Sequence, residues 1–174
     1  MILDIARLLL FPALMAFAAA SDLFTMTIPN RISLALAGGF LALAVLGGMA
    51  LPDMLSHIGA GAAVLAVAFA CFAFGWIGGG DAKVAAGAAL WFGFAHLLDY
   101  LLYASLFGGA LTLALLQFRQ WPLPWSLAGQ AWLLRLHDRE TGIPYGIALA
   151  IGALMIYPET DWIKAVDLGR FAMH

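Results

Sequence analysis

The sequence predicts an all-α fold: a polytopic membrane helix bundle of about six transmembrane helices, formed by one domain over residues 1–174. Three observations predict it. Hydrophobic residues make up 64% of the chain and charged residues only 10%, against about 25% in soluble domains. The mean hydropathy is +0.97. Long uncharged runs rich in Leu, Ala, Phe and Gly recur from end to end, as bilayer-spanning helices require. The net charge of −2 offers nothing to attract nucleic acid, so none is expected as a partner. Cys71 is the single cysteine, which excludes an intrachain disulfide or a cysteine-built metal site.

Residues 5–20 form the first expected span, ended by Ser21-Asp22. Ala18-Ala19-Ala20 resembles a signal cleavage site, but Asp4 beside Arg7 denies the segment a positive flank and several spans follow. A retained helix is therefore expected. Ile28-Pro29 interrupts helix formation, and a second span covers 32–51 up to Pro52-Asp53. A third covers 57–76 and ends in Gly78-Gly79-Gly80. The apolar run 84–118 is too long for one crossing of an ~30 Å core. Two helices with a tight turn near Asp99 are expected there; without that turn the count falls to five, and Asp99 would be buried instead of facing water. Residues 143–157 form the last span.

Basic residues give the orientation. With the N-terminus outside, Arg31, Lys83, Arg119, Arg135 and Arg139 fall on the cytoplasmic side, and Arg7, Lys164 and Arg170 on the other. The loop 117–142 carries Trp121, Trp125 and Trp132, with Trp125, Ala128, Trp132 and Leu136 on one helical face. A short helix lying in the membrane interface is expected, with a substrate-docking surface as the alternative.

Two acids stand apart from the others. Asp22 follows the first span and Asp81 opens the fourth, so this topology delivers both to one face of the membrane. Two carboxylates in a partly dehydrated site cannot both ionise easily and share a proton. The ionised member then takes a proton from water while the protonated member polarises a carbonyl, which is acid–base hydrolysis without cofactor or metal. Neither role can be assigned within a coupled pair. Gly78, Gly79 and Gly80 either expose backbone to an extended peptide or simply connect two helices. His57, His96, His137 and His174 show no metal-binding spacing, and no serine sits in a GxSxG elbow. The alternative class is a non-enzymatic transporter or assembly subunit whose aspartates bind protons or cations.

The order Ser21-Asp22, Ile28-Pro29-Asn30, then Gly78-Gly79-Gly80-Asp81-Ala82-Lys83 resembles the type IV prepilin peptidase family of GxGD membrane aspartic proteases. Gly142-Ile143-Pro144-Tyr145-Gly146 also resembles that family's entry to its last helix. The resemblance implies that Asp22 and Asp81 are the catalytic pair, with Gly78, Gly80, Lys83, Pro29 and Asn30 shaping the site. It implies an enzyme of the bacterial inner membrane that takes prepilins or pilin-like precursors at its cytoplasmic face, with lipid around it. The cysteine-rich and methyltransferase regions of the longer enzymes are lacking, so N-methylation is not expected. The short form resembles the peptidases of tight-adherence (Flp) pilus systems. No basic residue lies between Asp22 and Ile28, a departure that bears on substrate preference.

Overall fold

A computed structural model describes residues 1–124 and 129–166; Trp125, Ala128, Arg170 and His174 lie outside the described residues. The described chain is helical throughout: α1 (Ile2–Thr25), α2 (Asn30–Leu46), α3 (Leu51–Ala73), α4 (Gly79–Phe118), α5 (Ala131–His137), α6 (Tyr145–Ile156), a 3₁₀ turn (Tyr157–Glu159) and α7 (Asp161–Lys164). Among the described residues, α1, α3 and α4 are long and apolar enough to cross a membrane, while α2 and the segment Tyr145–Glu159 are shorter apolar helices. Leu9, Phe17, Phe69, Leu98 and Leu113 are exposed on the outside of the bundle. Apolar side chains left outward on this scale face lipid, and the protein is a membrane protein.

Local chemistry sets most boundaries. Helix α1 runs past Ser21-Asp22, where the sequence suggested an end, and its last turn is closed by the Met26 amide donating to the Asp22 carbonyl at 2.8 Å. It stops at Met26, which adopts the left-handed conformation (φ 54°). Extended Pro29 then caps α2. Pro52 occupies the first turn of α3, where its missing N–H costs nothing.

Helix α4 would be about 60 Å long if straight, twice the hydrocarbon thickness. It is not straight. Gly93 takes φ 58° and ψ −175°, a conformation closed to other residues, and splits α4 into arms 79–92 and 94–118. The rings of Phe92 and Tyr100 lie 4.9 Å apart, where a straight helix would separate their Cα atoms by about 12 Å. The second arm packs antiparallel to α6, with Ala104 against Gly152 and Gly108 against Tyr145 and Ala148. The chain therefore returns toward the end where α4 began, and six apolar helices result. The turn falls six residues before Asp99, and Asp99 is exposed.

The break leaves the last carbonyls of the first arm without helical donors. His57 Nδ1 bonds the Leu90 carbonyl at 2.7 Å, and Trp162 Nε1 bonds that of Trp91 at 2.7 Å. Trp91 is itself fully buried, and its Nε1 donates to the Leu36 carbonyl at 2.9 Å. Phe11, Phe40, Trp91, Tyr157 and Trp162 pack around this point, with Phe11 and Trp91 ring centres 5.1 Å apart. The aromatic core thus holds the Gly93 end rigid, and the aspartates lie at the other end.

Candidate active site

Asp22 sits one turn before the end of α1 and is buried. Its Oδ2 accepts a 2.7 Å hydrogen bond from the Gly146 amide. Gly146 is the second residue of α6, after Pro144 at the cap, so its N–H has no partner within the helix. A carboxylate at that position satisfies the amide and faces the positive end of the helix dipole. No side chain fits at 146: a Cβ there would lie 2.8 Å from Asp22 Oδ2 and 2.8 Å from Ile28 Cδ1.

Asp81 is the third residue of α4, whose cap is Gly78. Its Oδ2 folds back over Gly78, where a Cβ would lie 2.8 Å away. Its Oδ1 is buried and makes no hydrogen bond. The backbone that holds Asp22 and the backbone that carries Asp81 meet at Ile28. Ile28 wedges between their supports, against Gly146 on one side and Gly80 on the other, where a Cβ at 80 would lie 3.2 Å from Ile28 Cβ.

The connection carrying Ile28 is tied down. Ser21 Oγ donates to the Thr27 carbonyl at 2.8 Å, and Thr25 Oγ1 reaches the same carbonyl at 3.1 Å. Pro29 then turns the chain into α2, and Asn30 Oδ1 accepts from Lys83 Nζ at 2.9 Å. This bond joins the segment after Asp22 to the segment after Asp81. The loop beyond α4 closes over the same end. Buried Arg119 donates through Nε to the Leu136 carbonyl (2.8 Å) and through its terminal nitrogen to that of Gly142 (2.9 Å). Arg135 donates to the Phe24 carbonyl, and Trp132 meets Phe24 edge-on at 5.6 Å.

The structure therefore gathers Asp22, Asn30, Gly78, Gly80, Asp81 and Lys83 at one end of the bundle, with Pro29 setting the entry to α2. Two residues emerge that the sequence alone did not assign. Gly146 holds Asp22; the sequence marked it only as part of the Gly142–Gly146 segment that resembles the family's entry to the last helix, and gave it no contact. Arg119 anchors the loop, and as a single cation after an apolar span it carried no distinguishing signal. Among the described residues, no group of three or more His, Cys, Asp or Glu side chains is placed to hold a metal. The arrangement offers a carboxylate oriented by a backbone amide beside one with a free oxygen, the elements of acid–base chemistry.

The profile of the type IV leader peptidase family matches residues 9–113, a stretch that contains both aspartates and ends before Gly146. No curated protein and no solved structure matches the chain. The family match covers more than half of the sequence and agrees with the membrane-helix architecture, and the chain belongs to the type IV leader peptidase family.

Proposed function

We propose that the protein is an aspartic leader peptidase of the GxGD type in which Asp22 and Asp81 are the catalytic pair. The observation that carries this reading is the convergence at Ile28 of two segments from distant helices, one bearing a carboxylate held by the Gly146 amide and one a carboxylate with an unpartnered oxygen. In that pair the ionised carboxylate takes a proton from water, and the water attacks the scissile carbonyl. The other carboxyl donates a hydrogen bond to the carbonyl oxygen and then supplies the leaving amine with its proton. Backbone at Gly78–Gly80 lies beside Asp81, where an extended leader junction could pair with it.

The site works at the cytoplasmic face of the bacterial inner membrane. In support, Arg31, Lys83, Arg119, Arg135 and Arg139 belong to the end that carries the aspartates, while Arg7 and Lys164 belong to the other. The substrates are prepilins or pilin-like precursors, with the small precursors of tight-adherence (Flp) systems as the class to test first. The test is co-expression with such a precursor, reading leader removal as a gel shift. Asp22→Asn and Asp81→Asn each lose processing by three orders of magnitude or more, on the order of removing one member of a cooperating catalytic set. Normal processing by either variant, with the protein present in the membrane, refutes the assignment.

A further inference from the structure

At the end of the bundle away from the aspartates lies a second polar cavity of about 300 Å³, which leader cleavage does not use. Its lining includes Arg7, Asp53, Ser56, His57, His96 and Asp161. Gly93 also borders it, twelve residues along the first arm of α4 from Asp81, a distance of about 18 Å. The cavity is therefore separate from the site described above.

The charges within it are arranged unusually. Arg7 Nε is buried without a hydrogen-bond partner. Among the described residues no ion pair joins Arg7 to Asp53 or Asp161, although all three line one cavity. The guanidinium lies over Gly47, where a Cβ would come within 2.6 Å of one of its nitrogens, so the chain makes room for it. A buried guanidinium nitrogen without a partner calls for an anion, and planar N–H donors suit phosphate oxygens. Asp53 and Asp161, exposed in the first turns of α3 and α7, put two carboxylates at the mouth of the same cavity. His57 also lines it: Nδ1 donates to the Leu90 carbonyl at 2.7 Å, and in the neutral imidazole Nε2 is then an acceptor. The space equals roughly ten water volumes, enough for a small headgroup and too little for a peptide. Helix α3 starts here and Arg7 lies in the second turn of α1, so the cavity opens near the end of the spans, at headgroup level.

We propose that this cavity binds a zwitterionic phosphate headgroup, with the phosphate on Arg7 and a primary ammonium between Asp53, Asp161 and His57, and that its source is a membrane phospholipid of the phosphatidylethanolamine type. The proposal is independent of the assignment of Asp22 and Asp81.

The test uses the full chain purified in detergent. Native mass spectrometry measures retained lipid, and thermal unfolding is followed with added phosphatidylethanolamine, phosphatidylcholine or phosphatidylglycerol. Phosphatidylethanolamine is expected to be retained and to raise Tm. Phosphatidylcholine, whose quaternary ammonium cannot donate hydrogen bonds, and phosphatidylglycerol, which lacks the cation, do so weakly. Arg7→Met keeps the aliphatic stem and lowers phosphatidylethanolamine retention about tenfold, the scale of one lost charged hydrogen bond. Asp161→Asn, at an exposed residue, lowers it as well and carries the comparison if Arg7→Met does not fold. Both variants keep native leader cleavage. Equal retention of the three lipids, or undiminished retention by both variants, overturns the proposal. Stabilisation by inorganic phosphate equal to that by the lipid overturns the zwitterionic reading, and equal stabilisation by free phosphoethanolamine overturns the lipid source.

Discussion

Replacing Gly146 by alanine tests the least anticipated contact of the candidate site. The new methyl group would lie 2.8 Å from Asp22 Oδ2, 2.8 Å from Ile28 Cδ1 and 3.0 Å from Asp22 Cβ. Each distance is well inside the ~3.5–4.0 Å of carbon atoms in contact, so Asp22 must move. Its 2.7 Å bond to the Gly146 amide is then lost or stretched. A hydrogen bond to a charged group contributes roughly 1.5–3 kcal/mol. At about 1.4 kcal/mol per tenfold, kcat/KM for leader removal should fall roughly 10- to 100-fold. The crowding costs about 1–3 kcal/mol and the lost hydrogen bond adds to it, so Tm should fall as well. Gly109→Ala serves as the control, because nothing lies within 4 Å of its Cβ position. That variant should gain about 0.5–1 kcal/mol of stability and cleave normally. The assay is timed cleavage of purified precursor in detergent, with thermal unfolding of both variants. Native cleavage by Gly146→Ala would show that the amide of α6 does not position Asp22, and the reasoning fails.

Two further outcomes follow from the same geometry. Lys83→Met removes the 2.9 Å bond to Asn30, and Asn30→Ala removes it from the other side. Each should slow cleavage several-fold, and the double variant should be no slower than the worse single one; additive losses in this cycle would mean that the two residues act separately. Arg119→Lys cannot serve the carbonyls of Leu136 and Gly142 with one forked group, so limited proteolysis within 120–142 should accelerate about tenfold or more. An unchanged digestion pattern would show that the loop is held by other contacts.

Much of this protein is legible in its sequence, because hydropathy and motif order are local properties. Uninterrupted apolar runs place the first three spans and the start of the fourth, and alternating crossings then bring Asp22 and Asp81 to the same end whatever the packing. The IPN and GGGDAK segments carry their meaning in covalent order, which no fold can rearrange. The boundaries were less legible. Ser21-Asp22 looks like the end of α1, but the backbone bonds continue for another three residues, up to the Met26 amide on the Asp22 carbonyl. Asp99 is the polar residue that invites a turn, yet the chain turns at Gly93. There the aromatic core accepts the break, because His57 and Trp162 take up the freed carbonyls.

The sequence by itself thus determined the membrane class and a topology that brings the two acids to one end, while the break at Gly93 settled six helices over five. Tertiary structure decided how each acid is held. Gly146 lies 124 residues from Asp22, and Lys83 lies 53 from Asn30. Pairings of this kind depend on which amide or side chain a packed helix happens to present, and they leave no periodic trace along the chain. Arg119 and Arg7 illustrate the same limit from the side of charge. Each reads only as a basic residue near the end of a span. Burial makes one the anchor of a loop, and leaves the other with a nitrogen that no described residue satisfies.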